Sequence, residues 1–236
     1  LSSDHQIENE KKFVEVVEKS LQDSENGKLV TYGITPTSPE VGYGYIKSEE
    51  PLDDIEIKGS KVDSFIEKPD RETAEMLITD NRYSWNSGIF MFRATTILKE
   101  VETFSPDLIS NCRLALDKKL FDLDFQRLDK KAFMDCPDVS IDVAIMEKTK
   151  NAYVYPLNLG WSDIGSWEFV WNVSNKDSRG NVKEGNVIEK NTKNSYLSSQ
   201  GRLIAAIGLD NLVVVETNDA ILIADKKESQ EVKNIV

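Results

Sequence analysis

NVSNKDSRG, residues 172–180, is the stretch where the chain changes texture. Apart from Val173 it is polar, it ends in glycine, and it reads as a connecting segment. Before it, helix-like and strand-like patterns alternate. After it come short β-rich runs, NVIEK, SYLSS, RLIAAIG, NLVVVET and AILIAD, spaced about ten residues apart with turn residues between them. Mixed strands and helices followed by strands alone predict an α/β domain over residues 1–173 carrying a small all-β module over residues 180–236. The strand rhythm is compatible with a short β-helix, although its repeat is irregular. A charged, helix-like tail, KKESQEVKNIV, closes the chain.

Upstream of residue 172 the elements follow from periodicity. Phe13, Val16, Val17 and Leu21 recur at helical spacing and predict an amphipathic helix over Asn9–Leu21. KLVTYGITP predicts a strand from Lys28 to Ile34, VGYGYIKSEE a second after Pro39, and KVDSFIEKPD a third that stops at Pro69, with a helix over Arg71–Thr79 beyond it. YSWNSGIFMFRA is uncharged up to Arg93 and reads as a strand buried on both faces. Thr95–Glu147 reads as several helices broken at Pro106 and Pro137, and AYVYPLNLGW returns to strand. The opening LSSDHQIENEKKF lacks Met and reads as the end of a strand followed by a helix start, so the chain is expected to be a fragment.

Composition narrows the chemistry. A net charge of −12 over 236 residues argues against nucleic acid or an acidic membrane surface as partner, because both require a basic face. An anionic ligand would then need a few local cations or a metal. The single histidine, His5, has no cysteine near it in sequence, which disfavours a Ser-His or Cys-His nucleophile and excludes a metal site built from imidazoles. Cys112 and Cys136 have no metal-like spacing, and no apolar run is long enough for a signal peptide or a bilayer span. A reducing cytoplasm is the expected location.

Hard-cation chemistry remains open. Mg²⁺ needs one or two carboxylates, with water and phosphate oxygens completing the shell. Asp4 in LSSDH and Asp163 in GWSDIG both read as acids at the carboxyl ends of strands, where α/β sheets collect ligands. Asp163 could equally be a turn residue bonded to its own backbone. Glu67-Lys68 offers a hydroxyl acceptor and a phosphate-binding charge, or simply a surface ion pair. Asn86 offers a carbonyl and an amide in an apolar run, suited to a sugar hydroxyl or to buried backbone groups. Gly44 marks a place where the backbone can approach a ligand, or a plain turn.

In this order, SSDH, LVTYGITPTSPEVGYGYI, FIEKPD, WNSGIFMF, SIDVAIMEKT, PLNLGWSDIGSW and NLVVVETNDAILIAD resemble the mannose-1-phosphate guanylyltransferases, within the sugar-nucleotide pyrophosphorylases. The resemblance covers nearly the whole chain. It implies a nucleotide-diphospho-sugar transferase fold, a Rossmann-like mixed sheet of GT-A type with a β-helix-like module after it. It also implies that GTP and mannose 1-phosphate are converted to GDP-mannose and pyrophosphate, with Mg²⁺ or another divalent cation as cofactor. On this resemblance Asp4 and Asp163 hold the metal, Lys68 binds the sugar phosphate, Glu67 and Asn86 bind mannose hydroxyls, and Gly44 offers a backbone amide. Glu147 and Lys148 line the same pocket, whereas Trp161, Gly165 and Trp167 shape the turn. A homodimer is compatible with it.

The departure is at the N-terminus: no glycine-rich GxGxRLWPLSR loop is present, so this stretch alone is expected to be inactive. The final VKNIV is similar to the guanylyltransferase part of type II bacterial proteins, whose longer members continue into a cupin phosphomannose isomerase domain that is not visible here. Three rivals stand beside the main reading. One is mannose-6-phosphate isomerase activity, which a single histidine cannot support in this chain. Another is a catalytically dead relative acting as a binding subunit, and the third is a pyrophosphorylase for another sugar.

Overall fold

The computed structural model describes residues 2–235 and separates into two compact units. One holds Ile7–Trp161 with Ser2 and Ser3; the other holds Asp4–Gln6 and the chain from Ser162 onward. Up to Ser162 the order is β1 (Gln6–Ile7), α1 (Glu10–Glu25), β2 (Leu29–Ile34), β3 (Tyr45–Ser48), β4 (Ser60–Ile66), α2 (Arg71–Leu77), β5 (Tyr83–Met91), α3 (Ala94–Phe104), α4 (Pro106–Asp117), β6 (Leu120–Asp122), β7 (Phe125–Arg127), α5 (Lys130–Met134), a π-helical turn (Asp142–Met146), β8 (Ala152–Pro156) and β9 (Trp161–Ser162).

In the first unit β2, β5, β3, β4 and β8 close into a mixed barrel, in that order, with β2 and β8 parallel and the remaining pairs antiparallel. Every residue of β2 is buried, as expected for an inner strand. The core gathers Leu29, Ile46, Val62, Phe65 and Val154 from the strands with Ala144, Ile145 and Met146 from the π-helical turn. That turn is thus held by its apolar middle, which fixes the polar residues at both its ends. Helix α1 starts where the Asn9 side chain accepts the Lys12 N–H at 3.1 Å and buries Val16, Ser20 and Ser24; it runs past Leu21 because Ser24 continues the buried face, and it ends at Gly27, whose φ is 83°.

The sheet is irregular where β2 meets β5. Thr31 lies opposite Phe90 but Gly33 lies opposite Asn86, so β5 carries extra residues around Gly88, whose φ of 68° suits a glycine bulge. A helical Thr95–Glu147 is corrected in one place: Leu120–Asp122 and Phe125–Arg127 form a hairpin, turned at Leu123 and Asp124. Pro106 does not simply break a helix. It opens α4 from the first position, where its missing N–H costs nothing.

The second unit begins with α6 (Trp167–Val173) and continues as β10 (Val182–Glu184), β11 (Val187–Lys190), β12 (Tyr196–Ser199), β13 (Ile204–Ile207), β14 (Leu212–Glu216), β15 (Ile221–Asp225) and a 3₁₀ helix (Lys226–Asn234). Strands β10, β12 and β14 stack in parallel, with Val182 beside Tyr196 and Tyr196 beside Val213; β11 and β13 form a second parallel pair, and β15 closes the first sheet antiparallel. Leu197 and Val214 pack with Ala206, Val187 and Ile204 of the other pair. Tyr196, Val213 and Val215 turn the opposite way and are covered by Trp167, Val170 and Trp171 of α6. The tail is 3₁₀ rather than α-helical.

Candidate functional site

In the first unit Gly44, Glu67, Lys68, Asn86 and Glu147 meet at one end of the barrel, whereas no hydrogen bond or ion pair joins the Lys148 side chain to them among the described residues. Glu67 and Lys68 follow β4 directly, and the Lys68 ammonium lies 3.3 Å from a Glu67 carboxylate oxygen while remaining exposed. Lys68 holds φ at 46°, a left-handed conformation that a non-glycine residue adopts only when its surroundings demand it. Gly44 precedes β3. A methyl group there would come within 2.6 Å of Glu67 Oε2 and 3.4 Å of Asn86 Cβ, so the glycine is what lets the carboxylate lie against the backbone. The Gly44 carbonyl accepts the Asn86 N–H at 2.7 Å.

Asn86 is buried, and its carboxamide is bonded on both sides. Its Oδ1 accepts from Gly88 N and Thr31 Oγ1, each at 3.2 Å, and its Nδ2 donates to Asp142 Oδ1 at 3.0 Å. Asp142, which sequence reasoning did not single out, is therefore part of the site. Its carboxyl is pushed above the ordinary aspartate value, first by burial and then by the Glu67 carboxylate, against the opposing pull of Asn86. Glu147, at the other end of the π-helical turn, accepts the Glu67 backbone N–H at 3.3 Å. Lys148 lines a shallow groove with Glu100, Thr103 and Phe104. Tyr43 packs edge-on against Trp85 and Trp161, at ring-centroid distances of 5.2 and 5.7 Å, beside Gly44 in sequence.

Asp4 and Asp163 both fall in the second unit. Glu8 N–H bonds to the carbonyls of Leu159 and Gly160 while β1 pairs with β9, so these short strands run antiparallel. Asp4, two residues before β1, and Asp163, just after β9, therefore stand at the same end of the ladder. Ahead of Asp4 only Ser2 and Ser3 are described, and neither is in a strand. Asp163 does follow its strand, and its Oδ1 accepts the Gly165 N–H at 3.1 Å. The next residue, Ile164, is β-branched with φ at 49°, a strained turn. The turn is tied to the β module by α6, whose Glu168 N–H bonds Ser229 Oγ at 3.3 Å. Trp167 packs against Tyr196, at 5.5 Å between ring centroids. Among the described residues no three His, Cys, Asp or Glu side chains cluster as a complete metal cage, and no helix is long and apolar enough to cross a membrane.

Comparison with known proteins matches residues 1–180 to the family described as nucleotidyl transferase. The chain belongs to the nucleotidyl transferase family. Residues 185–236 of this nucleotidyl transferase match a MannoseP isomerase/GMP-like beta-helix domain, in agreement with the stacked parallel strands. Its relatives include a mannose-1-phosphate guanylyltransferase of Salmonella montevideo, 46% identical over all of this chain and 50% of that protein. Another, from Escherichia coli strain K12, is 43% identical, again over all of this chain and 50% of its own length. The chain thus spans about half the length of the curated relatives it matches. A crystal structure described as a mannose-1-phosphate geranyltransferase of Thermus thermophilus superposes with a TM-score of 0.81 at 26% identity, over 98% of this chain and 66% of that one. A mannose-6-phosphate isomerase of Helicobacter pylori gives a TM-score of 0.60 at 30% identity, over 68% of this chain and 61% of its own.

Proposed function

We propose that the intact protein makes GDP-mannose and pyrophosphate from GTP and mannose 1-phosphate. The observation that carries this reading is the convergence of Gly44, Glu67 and Asn86 at one end of the barrel of a nucleotidyl transferase whose full-chain matches are named mannose-1-phosphate guanylyltransferases. Such a pocket supplies what a hexose phosphate needs: the Glu67 carboxylate accepts from a hydroxyl, Asn86 donates to one, and the exposed Lys68 ammonium meets the phosphate.

In the reaction a phosphate oxygen of mannose 1-phosphate bonds to the α-phosphorus of GTP, and the bond from that phosphorus to the α,β-bridging oxygen breaks. Pyrophosphate leaves with the electron pair. No covalent enzyme intermediate is required, so the absence of any histidine but His5 is no obstacle. Catalysis rests on positioning and charge neutralisation. Asp4 and Asp163 would hold Mg²⁺: the pairing of β1 with β9 brings their backbones to one end of a short ladder, and two carboxylates there would leave the rest of the shell to water and phosphate oxygens. When bound, the ion withdraws charge from the phosphate oxygens it contacts. The cytoplasm is the location this reading implies, because that is where GTP and a sugar phosphate meet.

Pyrophosphate release by the intact protein tests this directly. It is expected only with GTP, mannose 1-phosphate and Mg²⁺ all present, and glucose 1-phosphate in place of the mannose ester tests the sugar. No release with any hexose 1-phosphate overturns the reading. Asp163→Asn is expected to lower turnover by at least about a hundredfold with the fold retained; near-normal turnover at saturating Mg²⁺ removes the metal role. The likeness to the Helicobacter pylori isomerase favours a second reading, which formation of fructose 6-phosphate from mannose 6-phosphate would reveal.

A further inference from the structure

We propose that Asp142 is a positioning residue for the sugar pocket, holding the Asn86 carboxamide so that Asn86 meets the hexose only as a hydrogen-bond donor. The proposal rests on reading the pocket as a hexose 1-phosphate site.

A carboxamide is ambivalent, with an acceptor at one end and two donors at the other. Here the ambiguity is removed from both sides. The Gly88 backbone N–H, 3.2 Å from Asn86 Oδ1, can only donate, so the oxygen is the end that faces the bulge. The Thr31 hydroxyl is an adaptable partner, standing 3.2 Å from both Asn86 Oδ1 and the Ile89 carbonyl, and it divides its single proton between them. At the opposite end the ionised Asp142 carboxylate can only accept, and it takes one Nδ2 proton at 3.0 Å. One N–H of Asn86 then remains for a ligand, and its acceptor capacity is turned inward.

The support for Asp142 is itself firm. Asp142 opens the π-helical turn whose Ala144, Ile145 and Met146 are buried in the barrel core, so its carboxylate is held from the protein interior. π-Helical turns concentrate at functional sites. The cost of the arrangement is visible in the charges around it. Glu67 opposes the ionised form of Asp142 and Lys68 favours it, while burial disfavours it. A half-buried acid next to another acid, given one side-chain donor beyond its own backbone, is poorly explained as a stabilising element. It is well explained as the fixed partner of an amide that must not turn over.

Steady-state kinetics of the intact protein, with mannose 1-phosphate varied, test the assignment. Asp142→Ala is expected to raise KM for the sugar phosphate about tenfold, the scale of one hydrogen bond, with kcat nearly unchanged. Asp142→Asn should recover most of that loss, because its amide oxygen still accepts from Asn86 Nδ2. Asn86→Asp removes the donor and should raise KM at least as far, which keeps the proposal testable if Asp142→Ala folds poorly. Nuclear magnetic resonance of the substrate-free protein gives a second readout: the Asn86 side-chain amide protons should lie further apart than in a free carboxamide, with the bonded one downfield, and fall back toward the free separation in Asp142→Ala. Unchanged KM in Asp142→Ala, loss confined to kcat, or Asp142→Asn as impaired as Asp142→Ala each overturns the proposal. A wild-type protein with separated amide resonances but no affinity for hexose 1-phosphates overturns the pocket reading and the proposal with it. One that binds the sugar while Asp142→Ala changes nothing overturns the proposal alone.

Discussion

Asp142 in the barrel unit and Glu216 in the β module are both carboxylates withdrawn from water, and they respond in opposite directions. Glu216 ends β14, and burial by itself would raise its carboxyl. The backbone N–H groups of Gln200, Gly201 and Arg202 donate to its Oε2 at 3.0, 3.0 and 3.2 Å, with the Ser199 hydroxyl at 3.1 Å, and together they hold it below the ordinary glutamate value. Arg202 adds an ion pair at 3.2 Å to the other oxygen. Asp142 receives one side-chain donor, Asn86, and faces a second acid, Glu67, so its carboxyl is raised. The difference separates a carboxylate consumed by its own fold from one beside the proposed hexose pocket.

Replacing each acid by its amide is the sharpest way to break that comparison, and Glu216→Gln should have the larger effect. A glutamine must turn its NH₂ toward part of a ring of donors, leaving buried N–H groups unpaired. The native state holds the Glu216 proton less tightly than the unfolded chain, whose value is near 4.5. Its stabilisation is therefore complete above that value and is lost as the pH falls through the depressed folded value. Melting temperatures followed by circular dichroism should show Glu216→Gln well below the parent at pH 7 and the two curves converging in acid. Equal melting temperatures at pH 7 would mean that the donor ring is incidental.

Asp142→Asn should move the other way by a smaller amount. With the folded value raised above 3.8, the native state binds more protons than the unfolded chain between the two values, so stability falls as the pH rises through that window. The variant escapes this penalty. It should melt slightly above the parent at pH 7, with the gap closing as the pH drops below the ordinary aspartate value. A lower melting temperature at pH 7 would make Asp142 a structural residue.

These contrasts also explain which parts of the molecule are legible in the sequence. Gly44, Glu67 and Asn86 stand out because glycine and polar side chains interrupt strand-like runs. Asp142 does not, since an acid at the head of a helical turn has a sufficient local explanation, and its partner Asn86 is 56 residues away. The β module is legible as a series of strands with a rhythm compatible with a β-helix, yet its division into two sheets is not. β11 and β13 belong to a different sheet from β10, β12 and β14, so a single run of spacings merges two repeats. The hairpin Leu120–Arg127 buries neither face: Leu120, Phe121, Leu123 and Phe125 are all exposed, and no inside–outside alternation marks it as strand. Asp4 reads from its local sequence as an acid at a strand end, and only Ser2 and Ser3 are described ahead of it, neither of them in a strand.

The smallest expected effect tests whether the barrel site owes its shape to backbone access. Gly44 has an ordinary φ, so alanine is not excluded by conformation but by what its methyl would meet. The closest atom is Glu67 Oε2 at 2.6 Å, the far end of a flexible side chain, followed by the Phe65 ring at 3.3 Å. The carboxylate can swing away, and the fold should survive with little change in melting temperature. Displacing it moves the acceptor proposed for a hexose hydroxyl and leaves the Asn86–Asp142 bond in place. Gly44→Ala should therefore raise KM for mannose 1-phosphate by a few-fold, about the worth of one displaced hydrogen bond, while the Asn86 amide resonances stay apart. If KM holds steady while Glu67 is shown to have moved, the carboxylate is not a sugar ligand.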